Sequence, residues 1–198
     1  MKIGIEINGV LRNTIGKIEQ TYEKFLISKT DGIEDESDFN YEMLLPVTSL
    51  NLQDHFKFKE PDDLFSFLYE EFPMEIFGHS QSTEYTTFND LNDVYINLRD
   101  NHDFIVVSDE IGRSKPASLF FLSKFGCQLE RIFFYSNYTI KSMWDQIDIL
   151  LTSNPALLLD YPSDKILIKF ETEYNKHVDH PYTITTIKEL ENEIKKFL

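Results

Sequence analysis

Hydrophobic positions along the chain gather into short, nearly continuous apolar runs that stop at polar or turn-forming residues. Five such runs are "KIGIEIN" (2–8), "DFIVVSD" (103–109), "RIFFYSN" (131–137), "DILLTSN" (148–154) and "KILIKFE" (165–171). Their length and their enrichment in Ile, Val, Leu and Phe predict strands. Apolar side chains on successive positions, rather than strict alternation, predict strands covered on both faces, as in a parallel sheet flanked by helices.

A different periodicity fills the intervals. Ile15, Ile18, Tyr22, Phe25 and Leu26 form a stripe at helical spacing, and "FNDLNDVYINLRD" puts Phe88, Leu91, Val94, Tyr95 and Leu98 on one side. "EPDDLFSFLYEEF" has Pro61 and two aspartates ahead of its apolar face, a helix-start signal. "KPASLFFLSKFG" opens near Pro116 and closes at Gly126. In the last helix, Thr186 and Glu189 have the spacing of a capping box, with Ile187, Leu190, Ile194 and Phe197 on the buried side.

From residue 131 onward strand and helix alternate, which predicts right-handed crossovers between parallel strands. Between the first and second strands lies a helical, turn-rich stretch far too long for a simple crossover. It predicts a helical cap, residues 16–98, inserted into an α/β core made of 1–15 and 99–198. "TDGIEDESDFN" (30–40) is expected as an acidic loop.

Composition narrows the function classes. Seventeen Phe and ten Tyr among 198 residues supply ample core without staples. A net charge of −15 repels nucleic-acid phosphates and anionic membranes, and leaves other proteins as the expected partners. Cys127, the only cysteine, is expected as a small core residue, with no disulfide and no thiolate metal cluster. No signal peptide is expected at a start that reads as a strand, and no apolar run reaches the length of a membrane span. A cytoplasmic location follows as the expectation.

The polar residues ending each strand carry the chemistry, because open α/β sheets bind ligands at that edge. Glu6 and Asn8 end the first run, Ser108 the second, and Thr152 and Ser153 the fourth. With "IGIEINGVLRNT" overlaying the pattern "hhhDhDGVLRxT" without gaps, the chain resembles the haloacid dehalogenase-like (HAD) superfamily. The closer likeness is to its 5'-nucleotidase and deoxyribonucleotidase branch. The resemblance implies a Rossmannoid parallel sheet with a cap after the first strand.

It also implies roles. In the family, one aspartate attacks phosphate, a second is general acid and base, a serine or threonine and a lysine follow, and late aspartates hold Mg²⁺. The matching positions here are Glu6 for the nucleophile, Asn8 for the acid/base, Ser108, Lys141 (with Lys115 competing), and Thr152 and Ser153 for the metal anchor. Glu6 carries an extra methylene, and misplacement by ~1 Å can cost ~10²-fold. Asn8 has no proton to shuttle, which forfeits ~10²–10⁴-fold. Thr152 and Ser153 offer neutral oxygens to a cation that prefers carboxylates.

The resemblance with these departures implies an inactive HAD-like protein retained as a protein-interaction module, with no cofactor. Genes of this kind in large tailed bacteriophages extend the expectation to a virion or assembly component. Two alternatives stay open: a weak phosphatase or 5'-nucleotidase using Mg²⁺, and a regulator that binds an anion at Ser108 and Lys141 without hydrolysis. Asp145 and Asp148 in "WDQID" precede their strand and so belong to the opposite edge. "HVDHP" (177–181) is expected as a polar loop rather than a metal site.

Overall fold

The structure, a computed structural model, describes residues 1–30 and 42–197. The acidic stretch expected as a loop therefore falls, from residue 31 on, outside the described residues. Each of the five apolar runs forms a strand: β1 (Lys2–Glu6), β2 (Asp103–Ser108), β3 (Ile132–Phe134), β4 (Ile149–Thr152) and β5 (Ile166–Phe170). Every strand is shorter than its run, because the polar tail leaves the ladder and becomes loop at the sheet's carboxyl edge. A sixth strand of two residues, β6 (Thr183–Ile184), has no apolar run to announce it.

The sheet order is β3-β2-β1-β4-β5-β6, and every neighbouring pair is parallel. Ile5 of β1 lies opposite Val106 on one side and Leu151 on the other. Chain order thus reverses direction between β1 and β4, the switch point where α/β sheets open a crevice beyond their strand ends. Glu6, Thr152 and Ser153 stand at that crevice.

Helices α1 (Thr14–Thr30), α2 (Pro61–Ser66), α3 (Thr87–Leu98), α4 (Ser114–Lys124), α5 (Ile140–Trp144), α6 (Pro155–Leu159) and α7 (Leu190–Ile194) fill the intervals. Asn13 starts α1 by accepting the Gly16 N–H at 3.0 Å. Gly126 ends α4 with φ +68: its own N–H bonds Ser123 O, and the Cys127 N–H bonds Leu122 O. The capping box expected at Thr186 does not form. The Glu189 carboxylate reaches one residue further back, accepting the Thr185 N–H at 3.0 Å and its hydroxyl at 3.3 Å.

Two hydrophobic clusters carry most of the stretch expected as the cap. Ile18, Tyr22, Phe25, Val47, Phe56, Phe67 and Phe77 pack together, with Ala117 of α4 at their border. Phe88, Leu91, Val94 and Leu98 of α3 instead join Ile3, Ile5 and Val106 of the sheet. Residues 16–98 therefore divide: the part up to Phe77 builds its own core, while α3 packs as the helix that returns the chain to β2.

The helix expected over "EPDDLFSFLYEEF" is α2 for six residues only. Beyond it, Phe67–Glu71 and Met74–Gly78 are widened turns, with N–H groups bonding carbonyls five residues back (Phe72 to Phe67, His79 to Met74). No helix among the described residues is long and apolar enough to cross a membrane.

Candidate functional site

The turn after β1 is wound tightly: the N–H groups of Leu11 and Arg12 both bond Ile7 O, and the Gly9 N–H bonds Arg12 O. Gly9 has φ +71, and a Cβ there would lie 1.8 Å from the Tyr174 hydroxyl and 2.3 Å from Ser153 Oγ. This close approach lets the β4 end press against the β1 turn.

Glu6 is 2% exposed and accepts from three donors. The Tyr135 hydroxyl bonds Oε1 at 3.0 Å, while the Thr152 hydroxyl and the Ser153 N–H bond Oε2. Burial, with Asp109 adding to it, pushes its carboxyl up to about 7 against the opposing pull of those donors. The Tyr135 hydroxyl is driven well above its ordinary range by burial first and Glu6 second.

Asn8 is equally committed. Its Oδ1 accepts from Arg12 Nη2 at 2.6 Å and the Thr14 hydroxyl at 2.8 Å. Its Nδ2 donates to Asp109 Oδ1 at 2.9 Å and lies 3.4 Å from Ser108 Oγ. An amide suits this place because one of its neighbours is a carboxylate: an aspartate at position 8 would face Asp109 with like charge. Ser153 Oγ donates to Asn8 O at 2.8 Å and accepts the Tyr174 hydroxyl at 2.7 Å. Thr152 Oγ also accepts the Asn154 N–H, and the Asn154 side chain caps α6.

Arg12 falls on the arginine of the pattern "GVLRxT" but was given no role, and the structure makes it the anchor of the turn. Fully buried, it directs all five of its N–H groups to acceptors: the Thr14 hydroxyl, Phe77 O, Ser118 Oγ, Asn8 Oδ1 and Glu110 Oε1. Its Cζ lies 5.0 Å from the Phe77 ring centroid and 5.3 Å from that of Phe121. Glu110 is buried too, and its Oε2 has no hydrogen-bond partner. Tyr135 and Tyr174 were likewise missed. The partners of the two tyrosines lie far away in the chain, so no local spacing marks them, and Arg12 adds to its neighbours Asn8 and Thr14 the distant Phe77, Ser118 and Glu110.

Of the residues singled out from the sequence, Glu6, Asn8, Ser108, Thr152 and Ser153 come together at the switch point. Lys141 does not join them: it is exposed on α5, and its side chain makes no hydrogen bond or ion pair among the described residues. Lys115, at the start of α4, lies 5.5 Å from the Phe134 ring centroid. Asp148 accepts the Lys2 N–H at 2.8 Å, at the amino edge of the sheet as its position before the strand implies. His180 Nδ1 faces Tyr182 O at 3.1 Å, and among the described residues no group of three His, Cys, Asp or Glu is placed to hold a metal ion.

The residues present do not fit the Mg²⁺ that the resemblance implies. Between Glu6 and the β4 end lie a hydroxyl and an N–H already pointing at the carboxylate, where a dication needs acceptor oxygens. A cavity of 190 Å³ lies in front, between the strand ends and the cap. Its polar side includes Glu6, Asn8, Asp109, Ser153 and Asn154; its cap side includes Ile18, Leu68, Tyr69 and Phe77. The widened turns bring Leu68, Tyr69 and Phe77 there. Among the described residues no lysine, arginine or histidine lines it.

No family model matches the chain, and no curated protein matches it. Solved structures do. A haloacid dehalogenase-like hydrolase from Burkholderia xenovorans aligns with a TM-score of 0.57 at 10% identity, covering 100% of this chain and 98% of that one. A haloacid dehalogenase-like family hydrolase from Streptococcus pneumoniae aligns with a TM-score of 0.59 at 10% identity, with the same coverage. The six-stranded parallel sheet, its flanking helices and these alignments together give the chain the HAD-like hydrolase fold.

Proposed function

We propose that this chain is a HAD-fold protein of the nucleotidase-like kind that does not hydrolyse phosphate esters and acts through contact with other proteins. The observation that carries this is the engagement of Glu6. A nucleophile needs a free oxygen facing its substrate, and a metal site needs acceptors around the ion. Here Tyr135, Thr152 and the Ser153 N–H take up both carboxylate oxygens. The cavity in front adds Asp109 and, among the described residues, no cation, which opposes a phosphate.

Apolar side chains left in solvent support protein contact. Phe65, Met74, Leu119 and Phe120 are each close to half exposed, and Tyr85 and Tyr138 almost fully. In its most specific form the proposal makes the chain a component of a bacteriophage particle or of its assembly.

A phosphate-release assay over nucleoside monophosphates with Mg²⁺ is the test. No release above the blank is expected from the wild type. Turnover that Glu6→Ala abolishes would overturn the proposal. Placing aspartate at positions 6, 8, 152 and 153 together is expected to restore Mg²⁺ binding, read by calorimetry. A folded quadruple variant that binds none would show that Thr152 and Ser153 are not the anchor positions.

A further inference from the structure

We propose that the cavity between the strand ends and the cap binds a small organic ammonium ion, a protonated amine carrying a compact aromatic or apolar body. Two acidic side chains line the cavity, and since Tyr135, Thr152 and the Ser153 N–H take up both oxygens of Glu6, Asp109 is the carboxylate left to meet a ligand. Asp109 spends Oδ1 on Asn8, and its Oδ2 makes no hydrogen bond among the described residues. Arg12, the cation behind this wall, has no donor left for an anion, since all five are bonded within the protein. The electrostatics therefore select a cation.

The opposite wall selects an organic one. Tyr69 stacks on Phe77 with ring centroids 5.6 Å apart and planes 13° apart, and both rings line the cavity beside Ile18 and Leu68. Phe77 already faces the Arg12 guanidinium, so Tyr69 is the ring whose quadrupole can attract an ammonium group, and aliphatic neighbours favour an apolar body. A hydrated metal ion would gain nothing from that wall. A volume of 190 Å³ lies below the roughly 300–1,000 Å³ of pockets for drug-sized ligands, which suits a compact occupant. The carboxylates and the aromatic pair come from different elements, which makes this a walled cavity rather than an acidic patch.

The test is a titration of the full chain with benzylammonium chloride, followed by calorimetry and by tyrosine fluorescence. Saturable binding is expected. Benzyl alcohol, of the same shape without the charge, is expected to bind about tenfold more weakly or worse, and inorganic phosphate not to bind. Asp109 is exposed, so Asp109→Asn keeps the fold; it is expected to weaken benzylammonium about threefold or more. Tyr69→Leu is expected to weaken it further, and should that variant fail to fold, the alcohol control and Asp109→Asn decide. Equal affinity for the alcohol, no effect of Asp109→Asn, or no saturation by about 10 mM would each overturn the proposal. Ammonium binding and the absence of phosphate hydrolysis are read by separate assays, so either can fail alone.

Discussion

Glu6 faces donors on every side it can reach, and still holds its proton more tightly than an ordinary carboxyl, because burial and Asp109 outweigh those bonds. With its carboxyl raised from 4.5 to about 7 in the folded chain, the native state binds more protons than the unfolded one between those values. Its contribution is fully present below about pH 4.5 and is lost as pH rises through about 7. The shift is equivalent to about 3 kcal/mol. Glu6→Gln removes the titration while keeping an acceptor for Thr152 and the Ser153 N–H. Urea unfolding from pH 4.5 to 8 is expected to favour the variant over wild type progressively, by an amount of that order; parallel curves would refute it. The positions of Glu6, Asn8, Thr152 and Ser153 were legible because each ends an apolar run. Their partners Tyr135 and Tyr174 were not, since they are brought in by β3 and by the segment after β5, and no rule of spacing links residues so far apart.

At the scale of elements, the turn after β1 joins local winding to long-range contact. Gly9→Ala meets both a positive φ and the hydroxyls of Tyr174 and Ser153, so the turn must open or β4's end must retreat. A loss of about 2 kcal/mol or more is expected in chemical denaturation. A change under about 0.5 kcal/mol would mean the approach is not tight. The strands were readable because burial on both faces writes itself as continuous apolar residues, and α1 and α3 because burial on one face writes itself as a stripe. The widened turns were not readable: "LFSFLYEEF" satisfies a helical stripe, and only packing against Tyr22 and Phe25 shows where the winding loosens. β6 has two residues, too few to make a pattern.

Across the whole molecule, Arg12 is the tie between layers. It joins the β1 turn to Phe77 O in the cap, to Ser118 in α4 and to Glu110 after β2. Arg12→Met would leave Glu110 buried and unpaired, and is expected to cost about 3–5 kcal/mol in urea unfolding. Removing the stranded charge as well, in Arg12→Met with Glu110→Gln, is expected to recover a large part of that loss. Additive effects of the two substitutions would show that the pair does not act as a unit.

The sheet's two margins bear on how such a molecule could meet others. Its outermost strands are also its shortest, three residues in β3 and two in β6. Each exposes too few free backbone groups to template the addition of a strand from another chain. At these margins side-chain surfaces are favoured over strand addition as the means of contact, and they can be altered one residue at a time without disturbing the ladder within. The same margins guard a highly aromatic chain against edge-to-edge aggregation.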